Sequence, residues 1–185
     1  MTVSSTTADK AQADNVTSQH EDHEQLQLVT FVIGNEEFAV DILRVQEINR
    51  MMQITRVPQS PGCVEGVINL RGRIIPVIDM RNRFGLDKSE HSSDSRIVVV
   101  EVDEWILGFI VDRVNEVLRI SSGIVEPAPA AASKVDSTYI QGIGKLEDRL
   151  LILLDLSKLF NADEVRDFEA AARSAAKSAE VEKAA

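Results

Sequence analysis

The residues equipped for chemistry are few, and their spacing does not suit catalysis. Histidine occurs at positions 20, 23 and 91, each time in a polar stretch (SQHEDHEQ and KSEHSSDS) that reads as tail or surface loop. His20 and His23, with Glu21, Asp22 and Glu24, carry donor atoms for a weak metal site, but a solvated acidic tail accounts for them more simply. Cys63 stands alone, which excludes an intrachain disulfide and a CxxC metal site. Asp41, Asp79, Asp112 and Asp155 fall at the ends of apolar runs, where carboxylates serve turns and helix caps. No histidine lies in an ordered segment and no Gly-rich loop precedes a helix. The sequence therefore predicts no enzyme, no cofactor and no bound metal. The densest basic stretch is Arg71, Arg73, Arg81 and Arg83, interrupted by Asp79 and lacking aromatic neighbours. With a net charge of −10, this weighs against nucleic-acid binding. The chemistry left is that of charged side chains that grip another protein.

The elements that must hold such side chains are mostly strands. In 185 residues, 44% are apolar and 27% charged, an ordinary globular balance. The longest uncharged apolar run, Leu150 to Leu154, is far short of the ~20 residues of a membrane helix. The N-terminus has no basic segment followed by an apolar one, so a cytoplasmic location without membrane insertion is expected. Residues 1–26 are polar and acidic and are expected to be disordered, with order beginning at Leu28. LVTFVI and EEFAVDI flank Gly34-Asn35 as a hairpin, followed by a short helical turn over 41–45. VEGVINL and RIIPVID form a second pair of strands. Pro76 makes the latter an edge strand or a locally irregular one. MRNRFG reads as one helical turn ended by Gly85. RIVVVEV and WILGFIVD form another hairpin around Asp103-Glu104. EPAPAAASKVDS is a loop, and YIQGIGKL and RLLILLDL complete the β-rich part. Asn161, with Glu164 three residues on, starts a C-terminal helix whose apolar stripe is Val165, Phe168 and Ala172.

The β-rich part is an internal duplication. Leu28–Ile48 aligns without gaps on Ile97–Val117, pairing Arg44 with Arg113, Val45 with Val114 and Glu47 with Glu116. Val64–Phe84 aligns without gaps on Ile140–Phe160, pairing Gly66 with Gly142, Leu70 with Leu146, Arg73 with Arg149, Asp79 with Asp155 and Phe84 with Phe160. Hairpin-rich units of this length close into small barrels, because closure removes exposed edges. Two barrels side by side are expected, from copies at about 27–90 and 95–160, with strands free to exchange between them.

The string EEFAVDILRVQEI, then TRVPQSPGCVEGVINLRGRIIPVIDMRNRFG, resembles the CheW family of bacterial chemotaxis adaptors. GFIVDRVNEVL and YIQGIGKLEDRLLILLDLSKLF extend the resemblance, which covers about Gln27 to Phe160. It implies a mainly β fold of two five-stranded, SH3-like barrels packed together, followed here by a C-terminal helix or tail over 161–185. It also implies a non-catalytic scaffold that couples the cytoplasmic tips of methyl-accepting chemoreceptors to the regulatory domain of a CheA-type histidine kinase. The short segment after Phe160 points to the stand-alone form of the family. An adaptor of the same fold in a non-flagellar pathway, or a small-ligand-binding barrel, are the alternatives.

The resemblance points to Val45, Glu47, Gly66, Asn69 and Arg71 as partner-binding residues. Val45 serves the core equally well, since Val114 preserves it. Gly66 recurs as Gly142, which favours a backbone reason. Arg71 is replaced by Glu147, so this side chain has no shared structural job. Glu47 and Arg71 are expected to approach each other in the first copy, and the second copy, with Glu116 and Glu147, is expected to lack that pair. Phe84 and Phe160 belong to the core. Trp105 has no aromatic mate, and its place after a turn allows partial exposure.

Overall fold

The computed structural model describes residues 24–58, 60–128 and 137–183. Most of the expected N-terminal tail, with His20 and His23, and the centre of the EPAPAAASKVDS loop lie outside these residues. The first strand starts at Gln25, ahead of the expected Leu28, because Gln25–Val29 pair with the edge of a neighbouring strand over Val117–Ser121.

Eleven strands follow in order: β1 (Gln25–Ile33), β2 (Glu36–Asp41), β3 (Val45–Arg50), β4 (Val64–Leu70), β5 (Arg73–Asp79), β6 (Arg96–Val102), β7 (Trp105–Val111), β8 (Arg113–Ser121), β9 (Val125–Glu126), β10 (Ile140–Lys145) and β11 (Leu150–Leu154). Helices α1 (Met80–Arg83), α2 (Leu156–Leu159) and α3 (Ala162–Lys183) close the two copies and the chain. One sheet runs β8-β1-β2-β11-β10-β9 and the other β3-β6-β7-β5-β4. Under the repeat alignment these two orders are the same, with the hairpins exchanged. The first copy's β1–β2 hairpin sits among the second copy's strands, and β6–β7 among the first copy's. The sixth strand, β9, has its counterpart in a single bridge between Thr55 and Val67.

This exchange explains why the hairpin strands are continuously apolar instead of alternating. Val29, Phe31, Ile33, Val98 and Val100 point into one core shared by both sheets. Ile97, Val99, Ile68, Ile75 and Val77 fill the interior of the second sheet's barrel, and Leu28, Ala39, Ile120, Leu151 and Leu153 that of the first. Both faces of each hairpin are thus buried, and every such Val, Ile, Leu or Phe contributes ~1.5–3 kcal/mol of transfer free energy.

The expectation of an edge position for Pro76 is corrected. β5 lies inside its sheet, between β7 and β4. Proline is tolerated because pairing with β7 starts only at Val77, opposite Gly108, so no donor is needed from Pro76 on that side. The caps form as expected. Asp79 accepts hydrogen bonds from the Arg81 and Asn82 amides, and Asp155 from the Ser157 amide. Asn161 and Glu164 make a reciprocal capping box, at 2.8 Å from the Glu164 amide to Asn161 Oδ1 and 3.0 Å from the Asn161 amide to Glu164 Oε2. Gly85, at φ +67, ends α1.

Candidate functional site

β3 and β4 are the outer strands of the second sheet, and the five candidate residues lie on or beside them. Arg71 and Gly72 form the two-residue turn between β4 and β5, both at positive φ (51° and 86°). That is the requirement of a type I′ hairpin turn. Asn69 shapes the turn: its Oδ1 accepts from the Gly72 amide at 2.9 Å. Holding a non-glycine residue at φ +51 costs ~1–2 kcal/mol. The turn directs the Arg71 side chain toward β3, where its Nη2 donates to Glu47 Oε2 at 3.1 Å. The expected approach of Glu47 and Arg71 is present, and it links the two edges of the sheet.

The Arg71 side chain is 81% exposed and Glu47 only 25%, so most of the guanidinium's donors still face solvent. A pocket of about 320 Å³ beside the pair is lined by Gln46, Glu47, Leu70, Arg71, Arg73 and Ile75. Gln46 is tied to Glu101 at 3.0 Å. Arg73 makes no ion pair among the described residues, which leaves this end of the barrel with an excess of donors.

The other two candidates are placed differently. Val45, at the start of β3, is half-buried and packs against the shared core. Gly66 is buried within β4 at a bulge between Val64 and Gly66. A Cβ there would lie 2.4 Å from the Thr55 carbonyl oxygen and 2.7 Å from Ile54 Cγ2. The glycine lets the 54–55 segment cross β4 and form the Thr55–Val67 bridge. Gly142 does the same for β9, where a Cβ would meet Val125 Cγ1 at 2.6 Å. The recurrence of this glycine has a backbone cause.

The second copy has no pair between Glu116 and residue 147, as expected, but Glu116 finds a different base: Arg149 Nη2 donates to it at 2.7 Å. Arg149 Nε lies 3.1 Å from Glu37 Oε2, near enough for charge attraction but without hydrogen-bond alignment. The bond to Glu116 first, and the charge of Glu37 next, raise the Arg149 pKa. Glu47/Glu116 and Arg73/Arg149 recur in register, so an acid and a base at each barrel end were legible; which arginine reaches the acid was not. The turn explains the difference. Glu147-Asp148 has no positive φ among its residues, and the loop closes with the Leu146 amide donating to the Arg149 carbonyl at 3.0 Å.

Among the remaining singled-out residues, Trp105 is half-buried against the shared core. Cys63 is half-buried near Arg83, and burial pushes its thiol up against the opposing pull of the arginine. His91 is exposed. Sequence reasoning missed Arg83, which holds Glu164 in a two-pronged contact (2.8 and 3.3 Å), donates to the Leu159 carbonyl and lies over the Phe160 ring at 4.9 Å. Among the described residues, no group of three or more potential metal ligands occurs. No described helix is long and apolar enough to cross a membrane.

A family model described as CheW-like domain matches residues 27–164. The chain is 40% identical over 147 residues to the chemotaxis protein CheW of Helicobacter pylori, covering 79% of this chain and 88% of that one. It is 37% identical over 139 residues to the chemotaxis protein CheW of Klebsiella aerogenes, covering 75% and 84%. Among solved structures, the scaffolding protein TtCheW from Thermoanaerobacter tengcongensis matches with a TM-score of 0.70 and 39% identity, over 78% of this chain and 94% of that one. The matched span, residues 27–164, contains nearly all of both sheets, and the chain belongs to the CheW-like domain family.

Proposed function

We propose that this protein is a non-catalytic chemotaxis adaptor that couples the cytoplasmic tips of methyl-accepting chemoreceptors to the regulatory domain of a CheA-type histidine kinase. The observation that carries this reading is the family match over residues 27–164, at high identity to proteins named for chemotaxis. On this reading the protein stays in the cytoplasm and reaches the membrane through its receptor partners.

The binding surface is the end of the second sheet. Glu47 orients Arg71, whose free donors take a carboxylate or backbone carbonyls of the partner. Asn69 sets the turn, Gly66 sets the strand crossing beneath it, and Val45 anchors β3 in the core. The value of the ion pair lies in orientation, because an exposed pair contributes only ~0–1 kcal/mol to folding.

The test is capture of kinase and receptor fragments by wild type and Arg71→Ala. The variant should keep its stability within about 1 kcal/mol and lose at least about ten-fold in capture of one partner, the loss of a charge-assisted hydrogen bond. A wild type that captures neither partner sinks the adaptor reading. A folded Arg71→Ala that captures both normally sinks the role given to Arg71.

A further inference from the structure

Where the exchanged hairpins meet their host strands, each sheet contains one short parallel contact. In the second sheet, β5 pairs with β7 only from Val77 and Gly108 onward. The strand ends before that point, Ile74 to Pro76 and Trp105 to Ile106, border a wedge. α3 lies in this wedge: Val165, Glu169 and Ala172 face Ile74, Pro76 and Trp105, and only about 190 Å³ stays open. Val67 and Ile74 are covered by Ala171 and Ala172.

The first sheet repeats this geometry. β11 pairs with β2 at Ile152–Phe38 and Leu153–Ala39. Among the described residues no helix enters its wedge, which is a cleft of about 1240 Å³. Beside Val32 and Pro127, its apolar lining includes the mates of three residues at the α3 wedge: Ile143 for Val67, Leu150 for Ile74 and Ile152 for Pro76. Leu150 is 60% exposed, whereas Ile74 is packed under the helix. A leucine at the first position of a strand, open to solvent over an apolar floor, lacks among the described residues the cover that its mate has.

The rim differs from that of the mate in a way that defines an occupant. Trp105 and Ile106 are replaced by Glu36 and Glu37, and Asp94 and Asp148 also border the cleft. Lys145 is engaged by Glu126, and Arg149 by Glu37 and Glu116. Glu36, Asp94 and Asp148 make no ion pair among the described residues, and Arg113 is the one basic lining residue without one. Uncompensated charge at the rim is negative. α3 of a second copy does not meet this need, since its apolar face is committed to its own sheet and its first turn is acidic.

We propose that the cleft of the first sheet is a docking groove for an amphipathic helix of a partner protein, apolar along one stripe and flanked by lysine or arginine. The site is separate from the Glu47–Arg71 end and does not depend on the function proposed for it. The helix occupies the position that α3 occupies in the other sheet, with aliphatic side chains over Ile143, Leu150 and Ile152 and its cations beside Glu36 and Asp148.

The probe is a synthetic helical peptide of about 18 residues with leucines at i, i+3, i+4 and i+7 and flanking lysines, compared with the same stripe flanked by glutamates. Amide chemical shifts of the full chain report the binding site. The lysine peptide should perturb Glu36, Ile143 and Leu150 and bind at least about ten-fold more tightly than the glutamate peptide. Leu150→Asp and Glu36→Lys should each weaken it about ten-fold with the second sheet's spectrum unchanged, and Arg71→Ala should not. Any of four results overturns the proposal: no perturbation, equal binding of both peptides, shifts confined to the Arg71 end, or binding indifferent to both cleft variants. Two further results assign another occupant and also overturn it. One is a concentration-dependent dimer abolished by Leu150→Asp, which would make a second copy the occupant. The other is peptide binding that appears only after deletion of residues 129–136, which would make the chain its own cover.

Discussion

Gly66 and Arg71 lie on one hairpin and are held for different reasons. Gly66 has no room for a Cβ, since the nearest obstacle at 2.4 Å is the backbone of Thr55, which cannot rotate away. Gly66→Ala should therefore destabilise the protein by about 2–3 kcal/mol, seen as a lower urea midpoint at unchanged slope. Lost partner binding at wild-type stability would instead make the glycine a contact. Asp155 carries a pH-dependent contribution. Burial opposes its charge, but hydrogen bonds from Ser157 and Lys158 overcome this and hold its pKa below the ordinary 3.8. A depressed folded-state pKa gives stability that is complete above the unfolded value and is lost as pH falls through the folded one. Acid titrations of wild type should accordingly lose stability more steeply below about pH 4 than Asp155→Asn.

α3 is an element of two unequal parts. Its first turns are held by the capping box, by Arg83 on Glu164, and by Phe168, which is fully buried and meets Phe160 edge-on at 5.4 Å. Between Phe168 and Lys177 the buried residues are Ala171 and Ala172, which add little apiece. Phe168→Ala should cost about 3–5 kcal/mol and raise amide exchange along α3 and over Val67 and Ile74 beneath it. Exchange that stays slow at Val67 would mean the alanines alone hold the helix. The capping box was legible because its residues are adjacent in sequence. The stripe Val165, Phe168 and Ala172 was legible as well. Arg83 was not, because its partner Glu164 is 81 positions away in the chain and only the tertiary fold brings α1 to the first turn of α3.

At the scale of the whole molecule, strand exchange makes the two copies interdependent. Neither copy contains a complete sheet, and the shared core draws on both hairpins. A fragment ending in the 87–94 loop should be unfolded alone, with collapsed amide dispersion, and should regain native dispersion when mixed with its complement. The intact chain should melt in a single transition. A first copy that folds by itself would contradict the exchanged arrangement.

The sequence by itself determined the duplication, the strands, the turns and the caps. These are written in local periodicity and in residues a few positions apart, where backbone geometry leaves few choices. It also put an acid and a base at each barrel end. Only the tertiary structure decided which copy's hairpin enters which sheet, because the copies match in apolar pattern and pairing by either gives the same local sequence. It likewise decided that Arg149, and not residue 147, reaches Glu116, since one turn runs through positive φ and the other does not. Only the tertiary structure, too, places α3 against Val67 and Ile74 of the second sheet, while among the described residues no helix enters the matching wedge of the first, a fact of packing that no local pattern records.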